Sequence, residues 1–195
     1  MRAVELPGRI DTLRWEAWLR VSTRGVVPVE HPDSVHYATM RYSTIWPILN
    51  RLELGPGDVF VDVGSGKGRV LCCAARYPVD RVVGVDISPA FCAAARENTT
   101  RMRGRRAPVE ILAAPAADLD YSDATVLFMF DPFGAATLRP LLEKIAGERK
   151  RDVRIAYANP THRDVFEGQT WLDCAEHWDA EVTGGEHSVS FYRSR

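Results

Sequence analysis

The sequence predicts an α/β fold, a doubly wound and mostly parallel seven-stranded sheet ending in an antiparallel C-terminal hairpin strand. Three observations predict it. From Val59 onward, short apolar runs rich in β-branched residues alternate with helical patterns, as expected of right-handed βαβ units and a sheet covered on both faces. The first run, Val59-Phe60-Val61-Asp62-Val63, leads into glycines at every second position, Gly64, Gly66 and Gly68. Such a turn carries a buried parallel strand into a helix. The tail then changes rhythm: Trp171 to Trp178 and Ser188 to Tyr192 read as two strands joined around Thr183-Gly184-Gly185.

Taken in order, Ile10 to Val21 carries Leu13, Trp15, Trp18 and Leu19 as the apolar stripe of a short helix. Gly25 to Asp33, with Pro28 and Pro32, reads as a loop. A second helix runs through Ile45, Leu49 and Leu52, with Ser43 as its N-cap and Pro47 in its first turn. Gly55-Pro56-Gly57-Asp58 ends it and turns into the central strand. After the glycine turn come a helix from Val70 to Ala75, a strand from Arg81 to Asp86 and a helix from Pro89 to Asn98. Val109 to Leu112 is a short third strand, Thr125 to Asp131 an apolar fourth, Ala135 to Ala146 a helix and Val153 to Ala158 a fifth strand. The domain division expected is an N-terminal helical lid segment, 1–36, on a single body, 37–195.

At 195 residues and 46% hydrophobic, the chain can bury one substantial core and is most simply one domain. A net charge of -1 gives no global attraction to a polyanion. Cys72, Cys73, Cys92 and Cys174 lack metal-ligand spacing, and the first three lie in apolar helical stretches as small buried hydrophobes. No metal is expected. Met1 to Gly8 has no apolar signal core and no run approaches membrane-spanning length, so the default expectation is a cytoplasmic protein without a membrane partner.

Ligands of open α/β sheets bind outside the carboxyl ends of the strands. Those ends here carry Asp62 and Gly64, Asp86, Asp131, and Asn159-Pro160, more polarity on one rim than packing requires. The glycine turn makes a pocket for a polar ligand, since backbone N–H groups and a helix start point into it and no Cβ blocks the approach. Its spacing is G-x-G-x-G, not the G-x-G-x-x-G of dinucleotide sites. It is not a P-loop either, because Gly66-Lys67 is followed by Gly68 and no hydroxyl is placed for magnesium. Asp86 follows about 20 residues after the turn, the offset at which a carboxylate meets ribose hydroxyls. Asp86-Ile87-Ser88-Pro89 also reads as a helix start. The joint presence of turn and acid favours ribose.

The strand, its acid and the D-x-G-x-G-x-G turn closely resemble motif I of the class I S-adenosylmethionine-dependent methyltransferases, whose fold is Rossmann-like. The resemblance runs from Tyr37 to Asn159. It implies S-adenosyl-L-methionine as cofactor and S-adenosyl-L-homocysteine as product. It further implies that Asp62 and the backbone of Gly64, Ser65, Gly66 and Gly68 hold the methionine moiety, that Asp86 binds the ribose and that Ile87 packs on the adenine. Many relatives carry an acid for the adenine amine after the third strand. Pro115 stands there in this chain, leaving backbone groups near Ala116, or Asp118, to read the ring. Tyr37 and Thr39 resemble an N-terminal Tyr-x-Pro/Thr segment that closes over the cofactor, or else make an aromatic contact in a helix-entry loop.

Phe130-Asp131-Pro132-Phe133-Gly134 resembles the (Asp/Asn)-Pro-Pro-(Tyr/Phe) motif of amino methyltransferases, and more closely an Asn-Pro-Phe form in small bacterial and plant relatives. Asp131, Pro132 and Phe133 are therefore the candidate catalytic residues. A carboxylate or carbonyl accepting from an amine N–H aims its lone pair at the methyl, and an aromatic face stabilises the developing charge. The acceptor expected is an amine nitrogen of a small molecule, with a protein lysine as the alternative. Two other readings stay open: a module that holds the cofactor or a nucleotide without transferring anything, and an NAD oxidoreductase. His31, His36 and His162 are candidate bases. Two basic clusters, Arg101 to Arg106 and Arg149 to Arg154, lie between helices and following strands. There they complement helix C-termini on the edge opposite the cofactor, so no nucleic-acid partner is expected.

Overall fold

The computed structural model describes residues 5–24 and 39–195. Its strands are β1 (Val59–Val63), β2 (Arg81–Asp86), β3 (Val109–Ala113), β4 (Val126–Phe130), β5 (Arg154–Ala158), β6 (Leu172–Trp178) and β7 (Val189–Ser194). Its helices are α1 (Glu5–Leu19), α2 (Tyr42–Arg51), α3 (Arg69–Ala74), α4 (Pro89–Arg101), α5 (Ala135–Glu148) and α6 (Arg163–Glu167). The sheet order is β3-β2-β1-β4-β5-β7-β6. β1 to β5 pair in parallel, and β7 runs antiparallel to both β5 and β6. The chain starts in the middle, winds out to β3, then returns to the other side of β1 as β4. The carboxyl ends of β1 and β4 therefore frame the crevice where such sheets hold ligands.

Side chains alternate across the strands. Phe60, Val82, Val126, Phe128 and Ala156 pack on one face with Ile45, Ile48 and Leu49 of α2 and with Leu71, Cys72 and Cys73 of α3. Val61, Val63, Leu127, Met129, Ile155 and Tyr157 pack on the other with Leu138, Leu142 and Ile145 of α5 and Phe166 of α6. All of β1 is buried, so its acid, Asp62, stands inside the protein.

The N-terminal elements depart from expectation. α1 starts at Glu5 and runs through Pro7 and Gly8. A proline in the first helical turn breaks no intrahelical hydrogen bond. Only part of the expected stripe faces inward: Leu19 is buried, whereas Leu13 and Trp18 are 48% and 42% exposed. Trp15 sets the docking angle, its ring 6.2 Å from Tyr42 and 5.4 Å from Trp46. Ser43 does not cap α2, which begins one residue earlier. The Asp11 carboxylate of α1 accepts instead from the N–H groups of Tyr42 (2.9 Å) and Ser43 (3.4 Å). Pro47 falls in the second turn of α2, where it supplies no N–H to the Ser43 carbonyl one turn before it; both residues are exposed.

Part of each basic cluster is engaged within the fold. Arg154 pairs with Asp58, Arg151 donates to the Gly57 carbonyl at 2.7 Å, Arg101 pairs with Glu97, and Arg105 donates to the Thr99 carbonyl. Cys72, Cys73 and Cys92 are buried and Cys174 is exposed. Among the described residues, no helix is long and apolar enough to cross a membrane, and no cluster of His, Cys, Asp and Glu could hold a metal ion.

Candidate active site

The glycine turn is built by backbone geometry. Gly64, Gly66 and Gly68 all have positive φ (80°, 51° and 79°), where a Cβ is strained. The N–H groups of Gly64 and Ser65 both donate to the Val85 carbonyl, at 2.9 and 3.1 Å, binding the turn to β2. A Cβ on Gly64 would stand 2.9 Å from Pro132 Cβ. The turn after β1 therefore touches the turn after β4, and the two motifs singled out in the sequence meet. Gly84 is a site glycine that sequence reading missed: a Cβ there would lie 2.5 Å from Leu71 Cδ1 and 2.9 Å from Ser65 Oγ. Its signal was a glycine inside an apolar strand, the mark of close backbone approach.

The two acids of this half differ. Asp62 is 3% exposed, and its carboxyl is pushed up to about 8, first by burial and then by the nearby Asp86. Asp86 lies at the surface of the crevice. Its Oδ2 accepts from the Gly66 N–H at 2.8 Å and its Oδ1 from the Ser88 N–H at 2.9 Å. Burial raises it, against the pull of those two bonds. The cap of α4 is Ser88, whose Oγ accepts from the Phe91 N–H, so the Asp86 carboxylate turns toward the glycine turn. Ile87 beside it is 44% exposed. Ala116 opens a 3-10 turn through Asp118, and its carbonyl accepts from the buried Tyr121 hydroxyl at 3.0 Å. Thr39 stands next to Met40, whose carbonyl accepts from Arg69 at 2.7 Å. Tyr37, His31 and His36 lie outside the described residues.

Lys67 within the turn and Arg69 directly after it are bonded to the segment that follows α1. Lys67 and Arg69 are 7% and 6% exposed. Lys67 Nζ donates to the Arg24 carbonyl at 2.7 Å, and Arg69 Nε to Thr23 Oγ1 at 2.7 Å. The Arg69 guanidinium also stacks 4.8 Å from the centre of the Tyr42 ring.

On the β4 side, Asp131 adopts φ 39° and Asn159, at the end of β5, φ 50°. Two non-glycine residues in the left-handed region on adjacent strand ends mark strain that the surroundings must hold in place. Three donors from the β5 rim hold the Asp131 carboxylate. The Tyr157 hydroxyl donates to Oδ1 at 2.6 Å, Thr161 Oγ1 lies 2.8 Å from both oxygens, and Asn159 Nδ2 donates to Oδ2 at 3.3 Å. Burial pushes the Tyr157 phenol far up, with the Asp131 bond and charge adding to it, so it remains a donor across the working pH range. Sequence reading missed Tyr157 and Thr161, whose types carry no local signal. Phe133 is half-buried against the α5 face of the core. Phe130 meets the His187 ring edge-on at 4.9 Å, and burial lowers that imidazole from its ordinary value. His162 caps α6 and donates its backbone N–H to the Tyr157 hydroxyl at 3.3 Å.

Residues 60–149 match the sequence model of a family described as a methyltransferase domain. Over 104 residues the chain is 35% identical to a ribosomal protein L11 methyltransferase of Geobacter metallireducens, covering 53% of this chain and 34% of the relative. An RNA methyltransferase from Salinibacter ruber, in complex with S-adenosyl-L-homocysteine, has a similar fold. Its TM-score is 0.64 at 20% identity, over 80% of this chain and 94% of that one. Phosphoethanolamine N-methyltransferase 1 of Haemonchus contortus, in complex with phosphoethanolamine and S-adenosylhomocysteine, superposes with a TM-score of 0.62 at 15% identity, over 78% of this chain and 42% of that one. These structural likenesses show the fold, a Rossmann-like α/β sheet. The alignments span between 34% and 44% of the length of the L11 methyltransferases the chain matches. The similar proteins are named for a ribosomal protein, RNA and a small amine, so the expected exclusion of nucleic acid has no support.

Proposed function

We propose that this chain is an S-adenosylmethionine-dependent methyltransferase whose acceptor is an amine nitrogen of a small molecule. The single observation that carries the reading is the meeting of the two turns, Gly64 against Pro132. It supports the reading because the glycine turn and the turn that carries Asp131, Pro132 and Phe133 lie side by side at the switch point of the sheet. The residues fit the cofactor: positive-φ glycines leave their part of the floor free of Cβ atoms, and Asp86 presents a carboxylate, bonded to the backbone N–H groups of Gly66 and Ser88, that vicinal hydroxyls can share. Asp62, Gly64, Ser65, Gly66 and Gly68 would hold the methionine part, Asp86 the ribose, and Ile87 and Ala116 the adenine.

When bound, S-adenosylmethionine supplies a methyl already activated on a sulfonium. The protein's share is then to position the acceptor and keep water out. Asp131 accepts a hydrogen bond from the acceptor N–H while Tyr157, Thr161 and Asn159 hold its carboxylate still. Its role is orientation, and the acceptor must arrive with its lone pair free. Pro132 and Phe133 shape the wall beside it. A second reading, a protein amine as acceptor, is favoured by the likeness to the L11 methyltransferases.

The test is calorimetry with S-adenosylmethionine followed by transfer of a labelled methyl to three acceptor pools: small primary amines, ribosomal protein and RNA. Label is expected in the small amines. Asp131→Ala should keep the cofactor affinity and lose about a hundredfold in turnover. Label in protein or RNA alone would refute the small-molecule acceptor, and full activity of the variant would refute the role of Asp131.

A further inference from the structure

The glycine turn carries two buried cations, Lys67 and Arg69, an unexpected choice beside a ligand that is itself cationic. S-adenosylmethionine carries a sulfonium besides its amino-acid zwitterion, so its net charge is one unit more positive than that of S-adenosylhomocysteine. Against these cations stands Glu16 of α1, 3% exposed. Its Oε1 lies 3.6 Å from the Arg69 guanidinium and accepts from the N–H and the hydroxyl of Thr23, both at 2.7 Å. Its Oε2 accepts from Arg24 Nε at 2.6 Å. Glu16 also favours the charged form of Lys67, against the burial that disfavours it. In a water-poor interior, charge that is not cancelled reaches across the neighbouring site.

Resting on the cofactor reading above, we infer that Glu16 is a specificity-determining residue. Its carboxylate cancels positive charge behind the glycine turn, so the site accepts a sulfonium and not only its neutral thioether product. Asp62 adds little to this balance, since burial and the neighbouring Asp86 both favour its neutral form. The sequence distance of Glu16 from the turn explains why no motif reveals it. α1 thus takes part in cofactor recognition.

The experiment measures the Kd of S-adenosylmethionine and of S-adenosylhomocysteine by calorimetry, for the unmutated chain, Glu16→Gln and Arg69→Met. In Glu16→Gln the sulfonium ligand should weaken about three- to tenfold more than the thioether, as expected for one uncancelled charge at intermediate distance in a medium of intermediate dielectric. In Arg69→Met, which removes a cation instead, the ratio should move the other way. A merely structural role of the cluster would weaken both ligands equally and leave the ratio unchanged in both variants, and that result overturns the inference. An unmutated chain that binds neither ligand overturns the cofactor reading itself, a failure visible before any variant is made.

Discussion

The two halves of the crevice are made of different material. On the β1–β2 side the floor is backbone: positive-φ glycines, paired N–H groups on the Val85 carbonyl, and one carboxylate, Asp86, tied to Gly66 and Ser88. On the β4–β5 side it is side chains: Asp131 held by Tyr157, Asn159 and Thr161, with Phe130 and His187 alongside. Left-handed backbone occurs in both, on glycine in one and on Asp131 and Asn159 in the other. Glycine adopts that conformation freely, whereas Asp and Asn need their surroundings to hold it. A floor of backbone suits a ligand common to many relatives, and a wall of side chains suits one that differs between them.

The largest expected effect breaks the backbone half. Gly66 is buried at φ 51°, so Gly66→Arg places a long side chain in the cradle and strains the turn by about 1–3 kcal/mol. Calorimetry should find no cofactor binding while circular dichroism finds the fold retained; unchanged affinity would remove the cradle from the account.

Asp62 tests the same half through pH. Its folded value near 8 stands above the unfolded value of about 3.9, so between these limits the native state holds a proton that the unfolded chain has released. Stability therefore falls as pH rises from about 4 to about 8 and levels off above. Asp62→Asn should remove this slope and unfold at higher urea at pH 8, by about 2–5 kcal/mol, while binding the cofactor more weakly. Parallel pH–stability curves for the two proteins would contradict the burial argument.

The side-chain half gives the smallest effect and sharpens the contrast. Tyr157→Phe removes one bond to the Asp131 carboxylate, worth about 1.5–3 kcal/mol for a charged acceptor. Turnover should drop roughly ten- to a hundredfold with the S-adenosylhomocysteine Kd unmoved. An equal loss in Kd would mean that the two halves are not separable.

The same contrast explains what could be read in advance. The parallel sheet, the antiparallel tail strand and the glycine turn with its acids are local patterns: alternation along a strand, glycines where no Cβ fits, an acid at a strand end. Asp131, Pro132 and Asn159 stand out in the sequence because the strand ends are the places to look, although the bond between Asp131 and Asn159 does not. Tyr157, Asn159 and Thr161 lie 26, 28 and 30 residues from the carboxylate they hold, and only the pairing of β4 with β5 brings them together. The start of α2 failed for a related reason. Its cap comes from Asp11, 31 residues earlier and on another helix, so the expectation of a local cap at Ser43 could not hold. Leu13 and Trp18 were placed in the buried stripe of α1, but the face that docks is chosen by Trp15 against Tyr42 and Trp46.

The most direct measurement is a titration of the unmutated protein with S-adenosylmethionine, S-adenosylhomocysteine and NAD, each followed by calorimetry under one set of conditions. The account predicts saturable one-to-one binding of the first two, in competition with each other, and no heat from the dinucleotide. Silence from both sulfur nucleosides, or a saturable signal from NAD, would contradict it.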